Sequence, residues 1–267
     1  TLDLKKEYDE NGRIISEGTY DKKGKKQGSF KIFDPETGIA REEKVYMRDT
    51  LVAKGPVDEN FKRNGKWEEY YTDGSLKSTG EYKNGKKEGE WKYFFRNGNI
   101  EQIGKYLQGL PHGKWIWYYE NAAVLREEIF VKGKREGEFF EFSEKGDTIL
   151  KGYFINDKEE DFWVYQLNDY REEGKYQEGR KTGIWKAYNK HTGKLIFIGE
   201  YVDGLENGIH KYFYPDGKIK EEGNYSLGIK QGTWKKYDEE GQIYLTIEYE
   251  DGLPVKIGSV RVDEINP

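Results

Sequence analysis

Apolar and polar residues alternate along most of this chain in short runs, and glycine-containing turns separate the runs. In "EWKYF" and "KWIWYY", aromatic residues recur at every second position between other side chains. Alternation with a period of two is the pattern of a β-strand that buries one face. No segment has a clear apolar period of 3.6 residues, so the pattern predicts strands and no helix.

The runs repeat, and a Gly-x-Trp motif sets the period. Its glycine occurs at intervals of 24 residues from residue 65 to residue 137, Asp161 takes the next place, and the following spacings are 22, 25 and 24. Self-similarity of this kind predicts a repeat architecture. The aromatic column two residues after the glycine holds Phe or His in some copies and otherwise contains Trp67, Trp91, Trp115, Trp163, Trp185 and Trp234.

Each repeat also carries two turn signals. One is of the type "RNG" or "PDG" about nine residues after the glycine, and the other is of the type "KNG" or "VDG" near its end. Asn-Gly and Asp-Gly tolerate the positive φ angles of type I′ turns. The sequence therefore predicts an all-β fold, an elongated antiparallel meander of about nine β-hairpin repeats.

The array is predicted to occupy residues 1–255, with a cap or tail at 256–267. An irregular insertion near 47–62 interrupts the period, because 37 residues separate Gly28 from Gly65. We expect residues 48–62 to form a long loop or an extended hairpin that leaves the array.

Strand pairing gives the Gly-x-Trp motif a structural role. A two-residue turn at Asn97-Gly98 would place Trp91 opposite Gly104, and the same register would place Trp67 opposite Gly80. An indole that lies across a glycine on the facing strand fills the space of the missing side chain. We therefore predict that the glycine of Gly-x-Tyr accepts the tryptophan of its own hairpin, although the same register places Trp115 opposite Glu128 and Trp234 opposite Ile247.

Alternation places a second aromatic column, three residues after the first, on the opposite face among Lys and Glu. This column either shields the sheet, turns into the core through a bulge, or forms a contact strip for a partner. We take Phe94, Tyr118, Tyr70 and Phe142 as candidate partner-binding residues. Both faces are richest in aromatic residues near the first two.

Composition narrows the function. The chain has 45 basic and 50 acidic residues, a net charge of −5, 34% hydrophobic and 16% aromatic residues, and no cysteine. It therefore has no disulfide or thiolate chemistry, and nothing in its charge favours nucleic acid. No apolar run approaches the roughly 18 residues of a membrane span.

Candidate catalytic and metal motifs have simpler explanations. "GEYKNGKK" at residues 80–87 begins like a phosphate-binding loop, but the hairpin pattern accounts for both glycines. The three histidines lack metal-ligand spacing, and the carboxylates alternate with lysines as on a solvated face. "NDKEED" is rich in oxygen ligands but lacks the glycine of a calcium loop. We expect no enzyme activity, no metal and no cofactor.

"DGSLKSTGEYKNGKKEGEWKYFF" and "DGKIKEEGNYSLGIKQGTWKKY" resemble the MORN repeat variant (membrane occupation and recognition nexus). The resemblance extends over roughly residues 8–253, and bacterial chains of such repeats are often catalogued as antitoxin-like. It implies a curled antiparallel sheet that serves as a binding platform rather than a catalyst. The chain departs from the pattern at His210 and in the 22-residue repeat after Asp161.

The leading hypothesis is a non-enzymatic scaffold or accessory subunit that binds a protein, in a bacterial envelope assembly. Glycan or cell-wall binding through the aromatic rows is the alternative from another class, and an antitoxin-like neutralising partner is a third. Peripheral membrane association stays open. The chain begins at Thr1 rather than Met, which fits a removed leader and equally a trimmed chain, and an exported location is favoured over the cytoplasm.

Overall fold

The computed structural model describes residues 2–262, and β-strands dominate them. The strands are β1 Asp3–Tyr8, β2 Ile14–Tyr20, β3 Lys26–Phe33, β4 Ala40–Met47, β5 Thr50–Pro56, β6 Gly65–Tyr70, β7 Leu76–Lys83, β8 Lys86–Phe94, β9 Ile100–Leu107, β10 Leu110–Tyr118, β11 Val124–Val131, β12 Lys134–Arg135, β13 Gly137–Phe142, β14 Thr148–Ile155, β15 Lys158–Gln166, β16 Tyr170–Gln177, β17 Arg180–Asn189, β18 Leu195–Val202, β19 Leu205–Phe213, β20 Ile219–Ser226, β21 Ile229–Tyr237, β22 Ile243–Glu250, β23 Leu253–Ile257 and β24 Val260–Arg261.

The chain divides into two compact units. Unit 1 contains residues 1–134 and 144–146, and unit 2 contains residues 135–143 and 147–267. Within each unit, consecutive strands pair antiparallel with their neighbours in sequence, from β1 to β11 and from β13 to β24. The predicted all-β meander of hairpins is confirmed.

The two turn signals of each repeat form different turns. Asn84 and Gly85 have φ angles of 52° and 80°, as the predicted two-residue type I′ turn requires. At Asn97-Gly98 the prediction is wrong, because only the glycine has a positive φ, of 88°. The Phe95 N–H donates to the Asn99 carbonyl at 2.9 Å and the Gly98 N–H donates to the Phe95 carbonyl, also at 2.9 Å. These bonds close a longer loop, a type I turn followed by a left-handed glycine.

This loop shifts the register at the end of each hairpin. Trp91 faces Gly104 as predicted, but Ile100 faces Phe94 rather than Phe95, which leaves Glu101 as an extra residue on β9. Most other hairpins have the same bulge on the strand after the loop. Because the extra residue lies on the partner strand, side chains on the Gly-x-Trp strand keep alternating between faces.

Each buried tryptophan covers a glycine, but of the preceding strand. Atom Cδ2 of Trp91 lies 2.3 Å from the place that a Cβ on Gly80 would occupy. Gly104 is covered in the same way by Trp115, so the prediction that Trp91 covers Gly104 is wrong. The indole N–H of Trp91 donates to the Glu81 carbonyl at 3.0 Å, which holds the ring over β7.

A bulge explains why the ring leans back. Between β7 and β8, Thr79 faces Lys92 and Glu81 faces Glu88, so one residue on β7 opposes three on β8. Gly89 begins those three with a φ of 66°. The extra length carries Trp91 over the strand before it, and the absent side chain of Gly80 leaves room for the indole.

The core of each unit is a single row of rings. Tyr82 packs edge-on against Trp67 and Trp91, with ring centroids 5.6 and 5.2 Å apart. Edge-to-face packing of this kind adds to the burial of the rings. Lys87 covers the outer side of the row, with its Nζ 3.9 Å from the Trp91 ring. In unit 2 the corresponding row runs through Phe139, Phe154, Trp163, Tyr176, Trp185, Tyr201, His210, Tyr225, Trp234 and Tyr249.

The irregular insertion does not leave the sheet, so that prediction is wrong. Residues 48–49 form a tight turn, and β5 pairs with β4 along its length. Strand β5 then contributes Gly55, and the Trp67 ring lies 2.5 Å from the place that a Cβ on this glycine would occupy. The extra residues thus form a strand that supplies the glycine the next ring needs. Of the predicted tail at 256–267, residues 260–261 form β24, and residues 263–267 lie outside the described residues.

Candidate interaction surface

The second aromatic column stands on the Lys and Glu face. Every member is half-buried, neither inside the row of core rings nor fully exposed. We call this column the aromatic strip: Phe33, Tyr70, Phe94, Tyr118, Phe142, Tyr188, Phe213 and Tyr237. Because alternation is kept along the Gly-x-Trp strands, the bulge does not turn these rings into the core.

Local contacts hold several strip rings on that face. The Tyr70 hydroxyl donates to Oε2 of Glu68 at 2.6 Å, and the Glu68 carboxylate also pairs with Lys54 at 3.5 Å. In unit 2, the Tyr237 hydroxyl donates to Oε1 of Glu222 at 2.7 Å. These hydroxyl hydrogen bonds are the largest cause of a lowered pKa at both carboxyl groups. Tyr70 and Tyr237 are therefore fixed in orientation by charged neighbours.

The four candidate residues do not form one cluster. Tyr70, Phe94 and Tyr118 lie in unit 1 on β6, β8 and β10, which places neighbouring rings about 10 Å apart because one strand lies between them. Phe142 belongs to unit 2, where its ring stacks on Phe140 at 6.1 Å with an interplanar angle of 13°. Within residues 2–262, Phe94 makes no ring contact with the buried row.

Sequence reasoning missed a second apolar row on the same face. It occupies the middle position of Gly-x-Trp in unit 2, where Phe162, Ile184 and Ile209 are 46%, 51% and 61% exposed. In unit 1 the corresponding residues are Lys66, Glu90 and Lys114. Aligning the middle residue of the motif across repeats would have found it. Exposed apolar rows of this kind are features of interaction surfaces.

The two units also differ in charge. Unit 1 contains 27 basic and 24 acidic residues, a formal charge of +3, whereas unit 2 contains 18 basic and 26 acidic residues, a charge of −8. The small net charge of the whole chain is therefore the sum of a positive unit 1 and a negative unit 2. A partner of unit 2 would meet apolar side chains in an acidic surrounding.

In the part of the chain that the structure describes, no three His, Asp or Glu side chains are grouped to hold a metal ion. His210 is fully buried in the tryptophan column, with Nε2 2.8 Å from the Glu200 carbonyl. No helix among residues 2–262 is long and apolar enough to cross a membrane.

Five segments match the MORN repeat variant. They are residues 4–22, 63–84, 87–108, 206–226 and 230–251. Four of the five end at or just before a type I′ turn, so the matched MORN segments and the hairpins of the structure are the same unit.

No curated protein matches the chain. Among solved structures it is similar to chains from "Crystal Structure of TcdB2-TccC3" and "Crystal Structure of TcdB2-TccC3-TEV". The identities are 11% and 12%, the TM-scores 0.21 and 0.20, and the matches cover 94% and 92% of this chain. The chain spans only 18% and 15% of their lengths. A similarity this loose carries no argument about function.

Proposed function

We propose that this MORN-repeat chain is a non-enzymatic scaffold that binds a protein partner through the aromatic strip of unit 1. One observation carries the proposal: a half-exposed ring stands at the same position of successive repeats on a face that it shares with Lys and Glu side chains and with the half-buried Ile103 and Ile116. Aromatic residues surrounded by a polar rim are typical anchors of protein interfaces.

The contacts of the strip support a preformed site. Tyr70 is held by Glu68 and half-buried before any partner arrives, so little side-chain freedom is lost on binding. Ion pairs on the same face, such as Lys92 with Glu90 at 3.3 Å, are exposed and exchange readily with charges on a partner. We place the partner in a bacterial envelope assembly, with a toxin neutralised by the chain or a cell-wall glycan as alternatives.

The test is affinity for a partner isolated from the native host. Phe94→Ala combined with Tyr118→Ala should weaken binding by about 2 kcal/mol or more, as loss of interface anchors does. Tyr93→Phe and Tyr106→Phe, on the other face, serve as matched controls and should leave affinity unchanged. Unchanged affinity of the double variant, or binding to cell-wall glycan but to no protein, would contradict the proposal.

A further inference from the structure

A pair of tyrosines covers the buried row in three hairpins, and in the hairpin of Trp185 a small alanine takes the place of the first tyrosine. In each pair, the hydroxyl of a tyrosine two residues after the buried ring contacts a tyrosine hydroxyl on the next strand. The complete pairs are Tyr93 with Tyr106 at 2.9 Å, Tyr165 with Tyr176 at 3.2 Å, and Tyr212 with Tyr225. In the hairpin of Trp185, Ala187 stands in the first position, so Tyr201 faces no tyrosine there.

The missing ring leaves a depression in unit 2. It has a volume of about 350 Å³, and Ala187 lies at its base with 6% of its surface exposed. Phe197 and Tyr212 form one side, with ring centroids 5.2 Å apart and planes inclined by 42°. The remaining lining residues are Tyr170, Glu172, Ile196 and Tyr201.

A second irregularity completes this site. The 22-residue repeat has a short loop, and β15 and β16 pair without the bulge found in the other hairpins, with Gln166 facing Arg171 and Trp163 facing Gly174. Uninterrupted alternation therefore places Tyr170 on the same face as Glu172 and Gly174. Its ring, 37% exposed, stands at the edge of the depression.

Two carboxylates, Glu172 and Glu206, act on these rings. Glu172 lines the depression and accepts a hydrogen bond from Lys181 at 2.6 Å. Glu206 lies four residues before His210, the buried ring of its repeat, and Lys181 holds the same position in the repeat of Trp185. Unlike Lys181, Glu206 has no oppositely charged side chain within residues 2–262 at ion-pair distance. Burial, followed by the charges of Glu206 and Glu172, raises the pKa of Tyr201 to about 12. Lys181 offsets Glu172 and holds its Nζ 5.3 Å from the centre of the Tyr201 ring, so the unpaired Glu206 supplies the negative charge beside these rings.

We propose that this depression binds an alkylated ammonium group. Faces of several aromatic rings and a nearby carboxylate attract a cation, and methyl groups let the cation leave water cheaply and contact the rings. The same chemistry occurs on a methylated lysine of a protein and on a free quaternary amine. The proposal does not depend on the aromatic strip, which lies on the other face of the sheet.

The experiment is a proton NMR titration of the full chain with tetramethylammonium. We expect a saturable upfield shift of the methyl signal, and binding about tenfold or more weaker for 3,3-dimethylbutan-1-ol, which lacks the charge. Equal affinity for the neutral compound, or no saturable shift, would overturn the proposal.

Ala187→Tyr is the decisive variant, because it restores the residue of the complete pairs and fills the site. It should abolish binding without lowering the melting temperature. Phe197→Leu keeps an apolar side chain but removes one ring, and it should weaken binding about fivefold or more. Wild-type affinity in both folded variants would refute the assignment. Choline and an acetylated trimethyllysine amide are titrated in parallel. Tighter binding of choline would indicate a free quaternary amine as the ligand, and tighter binding of the amide would indicate a methylated lysine of a protein.

Discussion

The hairpins around Trp91 in unit 1 and those around Ala187 and His210 in unit 2 share one backbone plan but differ in what covers it. In both, a buried ring lies over a glycine of the preceding strand, and a nitrogen of that ring contacts the carbonyl of the residue that follows this glycine. In the first, Lys87 and Tyr93 cover the ring, with Lys87 Nζ 2.8 Å from the Tyr93 hydroxyl. In the second, Glu206 takes the place of Lys87 and Tyr212 that of Tyr93 around His210. Beside Trp185, Ala187 takes the place of Tyr93.

The comparison distinguishes the positions that hold the strands together from the positions that only cover the buried ring. The position of the buried ring holds only Trp, Phe or His, and the position beneath it is glycine except at Glu128, in the repeat before Phe139. Positions that merely cover the ring vary in charge and size, and it is there that unit 2 acquires a depression and an unpaired carboxylate. Departures from the repeat, rather than the repeat itself, therefore create the depression that we propose as a binding site.

The largest expected effect is loss of a supporting ring. Trp91→Ala should lower the free energy of unfolding by about 3–5 kcal/mol, because the ring is fully buried. In a repeat array the damage should be local. Hydrogen exchange measured by mass spectrometry should therefore accelerate first in β7 to β9. Uniform acceleration throughout the chain, or an unchanged melting temperature, would argue against this account.

A smaller loss is expected when the glycine under the ring gains a methyl group. Gly80→Ala should destabilise by about 1–3 kcal/mol, because the new Cβ would overlap the Trp91 ring. In a Trp91→Ala background the same change should cost far less. Gly104→Ala is the matched control, since its new Cβ meets Trp115 and its cost should persist in that background. Equal coupling of both glycines to Trp91 in chemical denaturation would contradict the assignment of Trp91 to Gly80 alone.

Substitutions at the residue that covers the buried ring, Tyr93 in unit 1 and Ala187 in unit 2, test the difference between the two regions directly. Tyr93→Ala removes a half-buried ring and its hydrogen bond to Tyr106, and it should cost about 2 kcal/mol. Ala187→Tyr should cost nothing and gain up to about 1 kcal/mol, because the new hydroxyl meets Tyr201. Thermal unfolding of both variants checks this, and a clear destabilisation by Ala187→Tyr would show that the gap is a packing requirement.

The smallest effect concerns the strip. Because the folded-state pKa of Glu68 is lowered from its usual 4.5, its stabilisation is present above that value and is lost as the pH falls through the folded pKa. Tyr70→Phe removes the hydrogen bond that is the largest cause of the lowered pKa, so the pKa of Glu68 should rise towards 4.5. The loss of stability on acidification should then become smaller. NMR titration of the carboxyl carbon measures it, with Tyr82→Phe as the control. An unchanged pKa would mean that the hydrogen bond does not hold the ring.

The sequence was sufficient for the period, the strands and the two faces, because alternation and turn glycines are local signals. It failed where backbone detail decides. Asn97-Gly98 fits a two-residue turn equally well, and only the hydrogen bonds of Phe95 show the longer loop. The bulge at Gly89, which moves Trp91 to the preceding strand, has no signature beyond a glycine already explained by the repeat.

The candidate surface was partly predictable for the same reason. The strip follows from alternation, and its half-buried rings lie on the expected face. The row of Phe162, Ile184 and Ile209 and the depression at Ala187 arise from differences between repeats, which averaging over copies conceals. The missing bulge between β15 and β16, which brings Tyr170 to that depression, depends on a loop length whose effect on register needs coordinates.

Hydroxyl-radical footprinting of the chain with and without its protein partner tests the scaffold proposal most directly, since it reports the exposure of individual rings. We predict that binding protects Tyr70, Phe94 and Tyr118 from oxidation, while Tyr82 and Tyr106 on the opposite face keep their rates. Protection confined to the opposite face or to the turns, with the strip oxidised as in the free chain, would contradict the proposal.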